Sequence, residues 1–374
     1  MNALTKVAGA ARWAPVFAWQ WATRAGAERR GRHLIVAIAD HFEPSILPGT
    51  HNEHAPKAVQ RQRLERWIAR YPEVHDAFRD TAGRPLVHTF FSPAEQYDAE
   101  LLEMLAAHCR DGWGEVEIHL HHGLEAPDTA AATRAVLSEF RDRLVGHGCL
   151  SRWEGVGPAR YAFVHGNNAL ANSSGGLNCG VDDEMAVLAE TGCYGEFTFA
   201  TAPNRSQHAR INELYECREP LTRRGAFRRG MRLRVGRPPT VFPLMMQGPL
   251  SLEFSRGPRP YIDKGQITPL TPVNASRIRM WHRLGVGVEG RPDWVFVKLH
   301  CHGMDPIDDA AMLGPMRTRM LEALRDYAAA TGVRLHYVTA REMTNIALAA
   351  TDGREGDPSD YRDYRLRRIT PARN

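Results

Sequence analysis

The feature that most constrains this chain is an alternation. From about residue 33 to 343, short apolar runs take turns with stretches of helical spacing. Strands separated by helices in this way form βαβ units and a parallel sheet. The strand-like runs are residues 33–41, 85–91, 115–123, 161–167, 196–203, 241–250, 294–303 and 334–340. Helical spacing predicts helices over 57–70, 128–145 and 310–331. In the second, Val136, Phe140 and Leu144 share a face and Asp128 offers an N-cap. In the third, Met316, Met320, Leu324 and Tyr327 make a core-facing stripe, and Gly332 suits the C-terminal end. Seven or eight strands that end in polar residues predict an α/β fold of the (β/α)-barrel kind, with an open doubly wound sheet as the alternative. No GxGxxG follows the first strand, which disfavours a dinucleotide-binding fold.

The 374 residues fit one domain, because α/β barrels reach this size as a unit. Residues 1–32 read as an amphipathic extension in which Trp13, Phe17, Trp19 and Trp21 offer a weak membrane-surface contact. The body spans 33–345. Within it, 218–239 carries eight arginines against one acid, Glu219. This segment reads as a solvated basic insertion; the functional alternative is contact with an anionic glycan, a phosphate or lipid headgroups. Residues 346–374 read as a polar, loosely held tail.

The net charge is +5, yet only four of the 48 basic residues are lysines, a bias that points to genomic base composition rather than to a ligand. A nucleic-acid partner is not expected, and the sequence leaves the oligomeric state open. No apolar run reaches membrane-spanning length, and the N-terminal apolar stretch is too short and interrupted for a signal peptide. Six scattered cysteines without a CxxC pair read as free thiols of a reducing compartment, so the expected location is cytoplasmic.

Working residues of parallel α/β barrels sit at the C-terminal ends of strands. Here those ends carry Asp40, His41 and Glu43; then His119, His121 and His122; then His165, Asn167 and Asn168; then His300 and His302. Side chains alternate along a strand, so His119 and His121 share one face and His122 takes the other. Two imidazoles at i and i+2, completed by a carboxylate from a neighbouring strand, suit a divalent metal such as zinc.

The order of the segments AIADHFEP, HTFF (88–91), EVEIH, ATAPNR (200–205), KLH and YVTAREM (337–343) resembles the polysaccharide deacetylase family, metal-dependent carbohydrate esterases with a distorted (β/α) barrel. The resemblance implies removal of N- or O-acetyl groups from a poly- or oligosaccharide. It implies a zinc ion on Asp40, His119 and His121, and His300 as general acid. The family's Asp pair is broken by Ala39, which leaves His41 and Glu43 as candidate bases, with Asp182 and Asp183 as weaker ones that N-capping explains. The family's second histidine would fall at Gly123, so His121 or His122 takes its place. His165, Asn167, Arg205 and His302 are expected to line the carbohydrate pocket. FVHGNNAL and CGVDDE have no counterpart in the family pattern. Two other readings stay open. One is a glycosidase pairing Asp40 or Glu43 with Glu196 or Asp183 across the sugar. The other is a glycan-binding protein that has lost catalysis.

Overall fold

The computed structural model describes residues 3–50, 53–253 and 261–372. The strands are β1 (His33–His41), β2 (His88–Pro93), β3 (Gly114–Leu120), β4 (Ser151–Trp153), β5 (Val156–His165), β6 (Cys193–Glu196), β7 (Leu214–Cys217), β8 (Gly230–Arg232), β9 (Leu244–Met246), β10 (Ser251–Glu253), β11 (Tyr261–Asp263), β12 (Trp294–Cys301), β13 (Arg334–Val338) and β14 (Leu366–Arg368). Each of the eight predicted runs overlaps one of them. The run at 196–203 overlaps β6 only at Glu196.

The large sheet follows the order β12-β1-β2-β3-β5-β6-β9-β7-β8. Pairing is parallel from β12 through β9, and antiparallel where β7 meets β9 and β8. β13 runs beside the first half of β1, and β2 beside its last residues. Among the described residues no sheet closes on itself, so the expected barrel reduces to a mixed α/β fold with a large, mostly parallel sheet.

Both faces of β1 are buried, which explains its unbroken apolar run. Ile35, Ala37 and Ala39 pack on an inner face with Val164, Phe296 and Val338. Leu34, Val36 and Ile38 pack on an outer face against residues of helices Lys57–His75, Ala99–His108, Ala130–Gly146 and Pro315–Thr331. Each such side chain contributes about 1.5–3 kcal/mol when fully buried.

Two expectations need correction. The N-terminal helix, Ala3–Thr23, does not stand apart: Trp13 and Phe17 are buried in the inner core, and Gln20 Nε2 donates to the Ile211 carbonyl at 2.8 Å. Its apolar face is therefore spent on the chain's own body, with Trp19 left exposed. No helix of the described residues is long and apolar enough to cross a membrane. Most arginines of the Arg-rich segment are exposed, and the segment is tied into the sheet. It contains β8, paired with β7, and Arg224 Nε donates to the Asn172 carbonyl at 2.8 Å.

The tail is not loose either. Helix Ala340–Thr351 is buried at every residue, β14 pairs with β4, and Arg362 meets buried Asp80 at 2.8 Å. Thr339 and Glu342 form a reciprocal capping box that starts the helix where the sequence pattern continues a strand.

Candidate metal centre

The C-terminal ends of β1, β3 and β12 bring five histidines and a carboxylate to one place on the inner face. His41 ends β1, His119 lies on β3, and His300 lies on β12 opposite Ala39. The His41 ring lies 4.7 Å from that of His119, 4.9 Å from His302 and 6.2 Å from His300. Glu43, just past the end of β1, is 3.0 Å from His119 Nε2 and 3.7 Å from His121 Nε2. His41, Glu43 and His119 each offer a ligand atom within 4.8 Å of the others, a spacing that a single metal ion can span.

The electrostatics suit ligation. Burial, reinforced by His119, His302, His300 and His121, keeps His41 well below the ordinary imidazole range, so one of its ring nitrogens keeps a lone pair for a metal. Burial works against charge on Glu43, but His119, His121 and His302 overcome it and hold the carboxyl at about 2. His119 Nδ1 lies 2.9 Å from the Val164 carbonyl, which fixes this nitrogen as the N–H and turns Nε2 toward Glu43. Burial pushes His121 down, but Glu95 at 2.7 Å and then Glu43 outweigh it and raise it. Burial and then Lys264, Lys298 and His302 hold His300 well below its ordinary value, and its buried Nδ1 has no hydrogen-bond partner among the described residues.

Asp40 does not join this group. Strand alternation turns it to the outer face, where Oδ2 meets His88 Nδ1 at 2.8 Å and Oδ1 accepts the Gly303 N–H at 2.6 Å. Burial raises it to about 7 despite that bond. Asp40, His88 and Cys301 also cluster closely, but Arg317 reaches His88 Nε2 at 3.3 Å and supplies that pocket's positive charge. The expected set of Asp40, His119 and His121 is thus split between two faces.

The pocket residues scatter as well. His302 sits beside His41 on the inner face. His165 lies with Phe163 on the outer face, 3.2 Å from His122, and Asn167 follows it there, donating its N–H to His165 Nδ1 at 3.3 Å. Arg205 is exposed, and its carbonyl accepts from Arg12. Glu196 is buried and accepts the Thr198 N–H, while Asp182 accepts from Asn172. Asp183 stands at the N-terminus of helix Glu184–Thr191 without a side-chain cap bond.

Sequence reasoning missed Glu95, which pairs with His121, and Cys179 and Glu184, which meet His122 and His165. No spacing rule links them, although CGVDDE stood out as a segment foreign to the family pattern. No family model matches the chain, and no curated protein matches it.

Proposed function

We propose that the inner-face cluster is the centre of a metal-dependent hydrolase that removes acetyl groups from a carbohydrate. The observation that carries this reading is the convergence of His41, Glu43 and His119 within 4.8 Å at the C-terminal ends of parallel strands, ringed by His121, His300 and His302. Zinc is the best fit to two imidazoles and one carboxylate, a three-ligand set that leaves room for water and substrate. When bound, such an ion lowers the pKa of its water and polarises the acyl carbonyl.

The chain's own residues supply the rest. His300, held neutral with a buried Nδ1 that has no hydrogen-bond partner among the described residues, is suited to orient the attacking water by accepting its hydrogen bond. His121, held toward its charged form by Glu95, is suited to donate a proton to the departing amine or alcohol. This departs from the acid role that the family resemblance implies for His300, because burial and then the ammonium groups of Lys264 and Lys298 oppose a charged imidazole there. His302, beside His41, borders the space into which the sugar would enter. The barrel reading draws support from the segment 265–267, which bonds to His300 beyond β12, and from Gly248, whose backbone packs against Lys298.

The test pairs metal content with acetate release from N-acetylated oligosaccharides. About one zinc at this centre, with acetate release lost in His119→Ala and in His41→Ala, is expected. A wild-type protein that binds no metal at the inner cluster, or that releases acetate equally well without it, overturns the reading.

A further inference from the structure

A second group of ligand-type side chains lies on the other side of the same strands. His122 follows β3 on the outer face, and His165 ends β5. Cys179 belongs to the long connection 166–183, and Glu184 opens helix Glu184–Thr191. All four are buried, and each offers a ligand atom within 4.8 Å of the others. His122 Nε2 lies 3.2 Å from His165 Nε2 and 3.1 Å from Glu184 Oε1. Cys179 Sγ is 3.4 Å from Glu184 Oε2, and His165 Nε2 is 3.8 Å from Glu184 Oε1. A tetrahedral ion with bonds of about 2.0–2.3 Å separates its ligand atoms by about 3.3–3.8 Å. The two imidazoles and Glu184 Oε1 are close to that spacing, and Cys179 offers its Sγ within the 4.8 Å that bounds the group.

We propose that His122, His165, Cys179 and Glu184 bind a divalent metal ion of the zinc class as a closed, structural site that fastens residues 166–183 to the outer face of the sheet. Four protein ligands leave no open position, which separates this site from a catalytic one.

The surroundings orient the ligands. Asp128 Oδ2 lies 2.9 Å from His122 Nδ1 and also accepts from Thr133 Oγ1 at 2.9 Å. The carboxylate fixes Nδ1 as the protonated nitrogen and aims the Nε2 lone pair into the group, the arrangement usual for a ligating histidine. The backbone N–H groups of Asn172 and Val181 point at Cys179 Sγ at 3.3 and 3.4 Å; burial raises the thiol, and these donors work against it in favour of a thiolate. Glu184 Oε2 accepts the Ala171 N–H at 2.6 Å, which turns Oε1 toward the imidazoles. His165 is the weakest ligand. Its Nδ1 faces the N–H groups of Asn167 and Ala169 at 3.3 and 3.5 Å, so Nε2 is freed only when its proton moves to Nδ1 and those contacts loosen.

The connection needs such a fastening. Residues 166–183 contain no helix or strand, and connections beyond about 12–15 residues of this kind are uncommon in compact domains. Their own apolar cluster is small, built on Ala169, Cys179 and Val181, while Leu170 and Ala171 join the outer core at the start of the connection. Ala171 and Asn172 hold left-handed backbone angles, φ 47° and 54°, which the cross-links to Glu184 and Cys179 stabilise. Gly166 packs its backbone directly against the His121 ring, so an outer anchor also steadies the inner mouth.

Sulfur makes the test selective, since His41, Glu43 and His119 contain none. The full-length chain is stripped with a chelator, dialysed and loaded with Co2+, and the near-ultraviolet thiolate-to-cobalt charge-transfer absorption is read. The band is expected in wild type and in His119→Ala and Cys301→Ser. It is expected to disappear in Cys179→Ser and to weaken at least tenfold in apparent Co2+ affinity in Asp128→Asn, within the range that outer-sphere partners of metal ligands command. A wild-type protein that shows no such band, or a band that survives Cys179→Ser, overturns the proposal. The first result would mean that a proton on His122, paired with Glu184, fills the group in place of a metal. Because the inner cluster gives no sulfur signal, failure there and failure here are read separately.

Discussion

The two faces of the strand ends carry ligand groups of opposite design. The inner group is rich in imidazoles and has one carboxylate, and its mouth residues His121 and Glu95 are partly exposed to solvent. The outer group has four buried ligand-type side chains of mixed chemistry and an ordered shell of backbone donors behind them. Adjacent residues, His121 and His122, belong to different groups because a strand sends successive side chains to opposite faces. The contrast is one of openness: three candidate ligands beside a partly exposed mouth on one face, and four enclosed ligand-type groups on the other.

The sharpest way to break this comparison is Glu184→Gln. Removing charge from a buried carboxylate that holds two histidines, a cysteine and the Ala171 N–H is expected to cost about 3–5 kcal/mol, read as a lowered midpoint in urea unfolding. The matching inner variant, Glu43→Gln, is expected to abolish acetate release while costing clearly less stability, since its carboxylate lies nearer the mouth. Equal stability losses would erase the distinction between the faces.

Acidification is expected to weaken both groups together. Glu43 and Glu184 are held at about 2, below the ordinary 4.5, by the imidazoles around them. Their contribution is fully present above pH 4.5 and is lost as pH falls toward 2. Stability measured across that window should fall more steeply in wild type than in Glu184→Gln. Parallel curves would contradict the assignment.

Glu95→Gln separates the faces more gently. His121 is raised by Glu95, so activity that needs its proton falls as pH rises through the raised value. The variant should shift that alkaline limb to lower pH and leave the cobalt–thiolate signal unchanged. Arg205→Ala is the smallest case. The side chain is exposed, so stability should change by no more than about 0.5 kcal/mol and metal content not at all.

Much of the fold is legible in the sequence because its pattern is local. The apolar runs mark the sheet's main strands, and strand alternation by itself separates His119 and His121 from His122. The same rule, applied to Asp40 and His41, places Asp40 on the outer face; the family resemblance argues otherwise, and the backbone prevails. His165 is misplaced for the same reason, since Phe163 two residues earlier faces the outer core. Cys179 and Glu184 are not legible, because their partners stand across a connection whose path depends on positive-φ turns and tertiary contacts. The helix after Thr339 is half legible. Its Thr-x-x-Glu signature is plain, but its polar residues Arg341 and Asn345 are buried against Glu115 and the carbonyls of Arg362 and Leu366 instead of facing solvent.

The most direct measurement is the metal content of the purified chain by elemental analysis, in wild type, His119→Ala and Cys179→Ser. The account expects about two ions per chain in wild type and about one in each variant, with acetate release lost only in His119→Ala. A wild-type chain that holds no metal, or a single ion lost in both variants, would contradict the division of the strand ends into an open inner centre and a closed outer one.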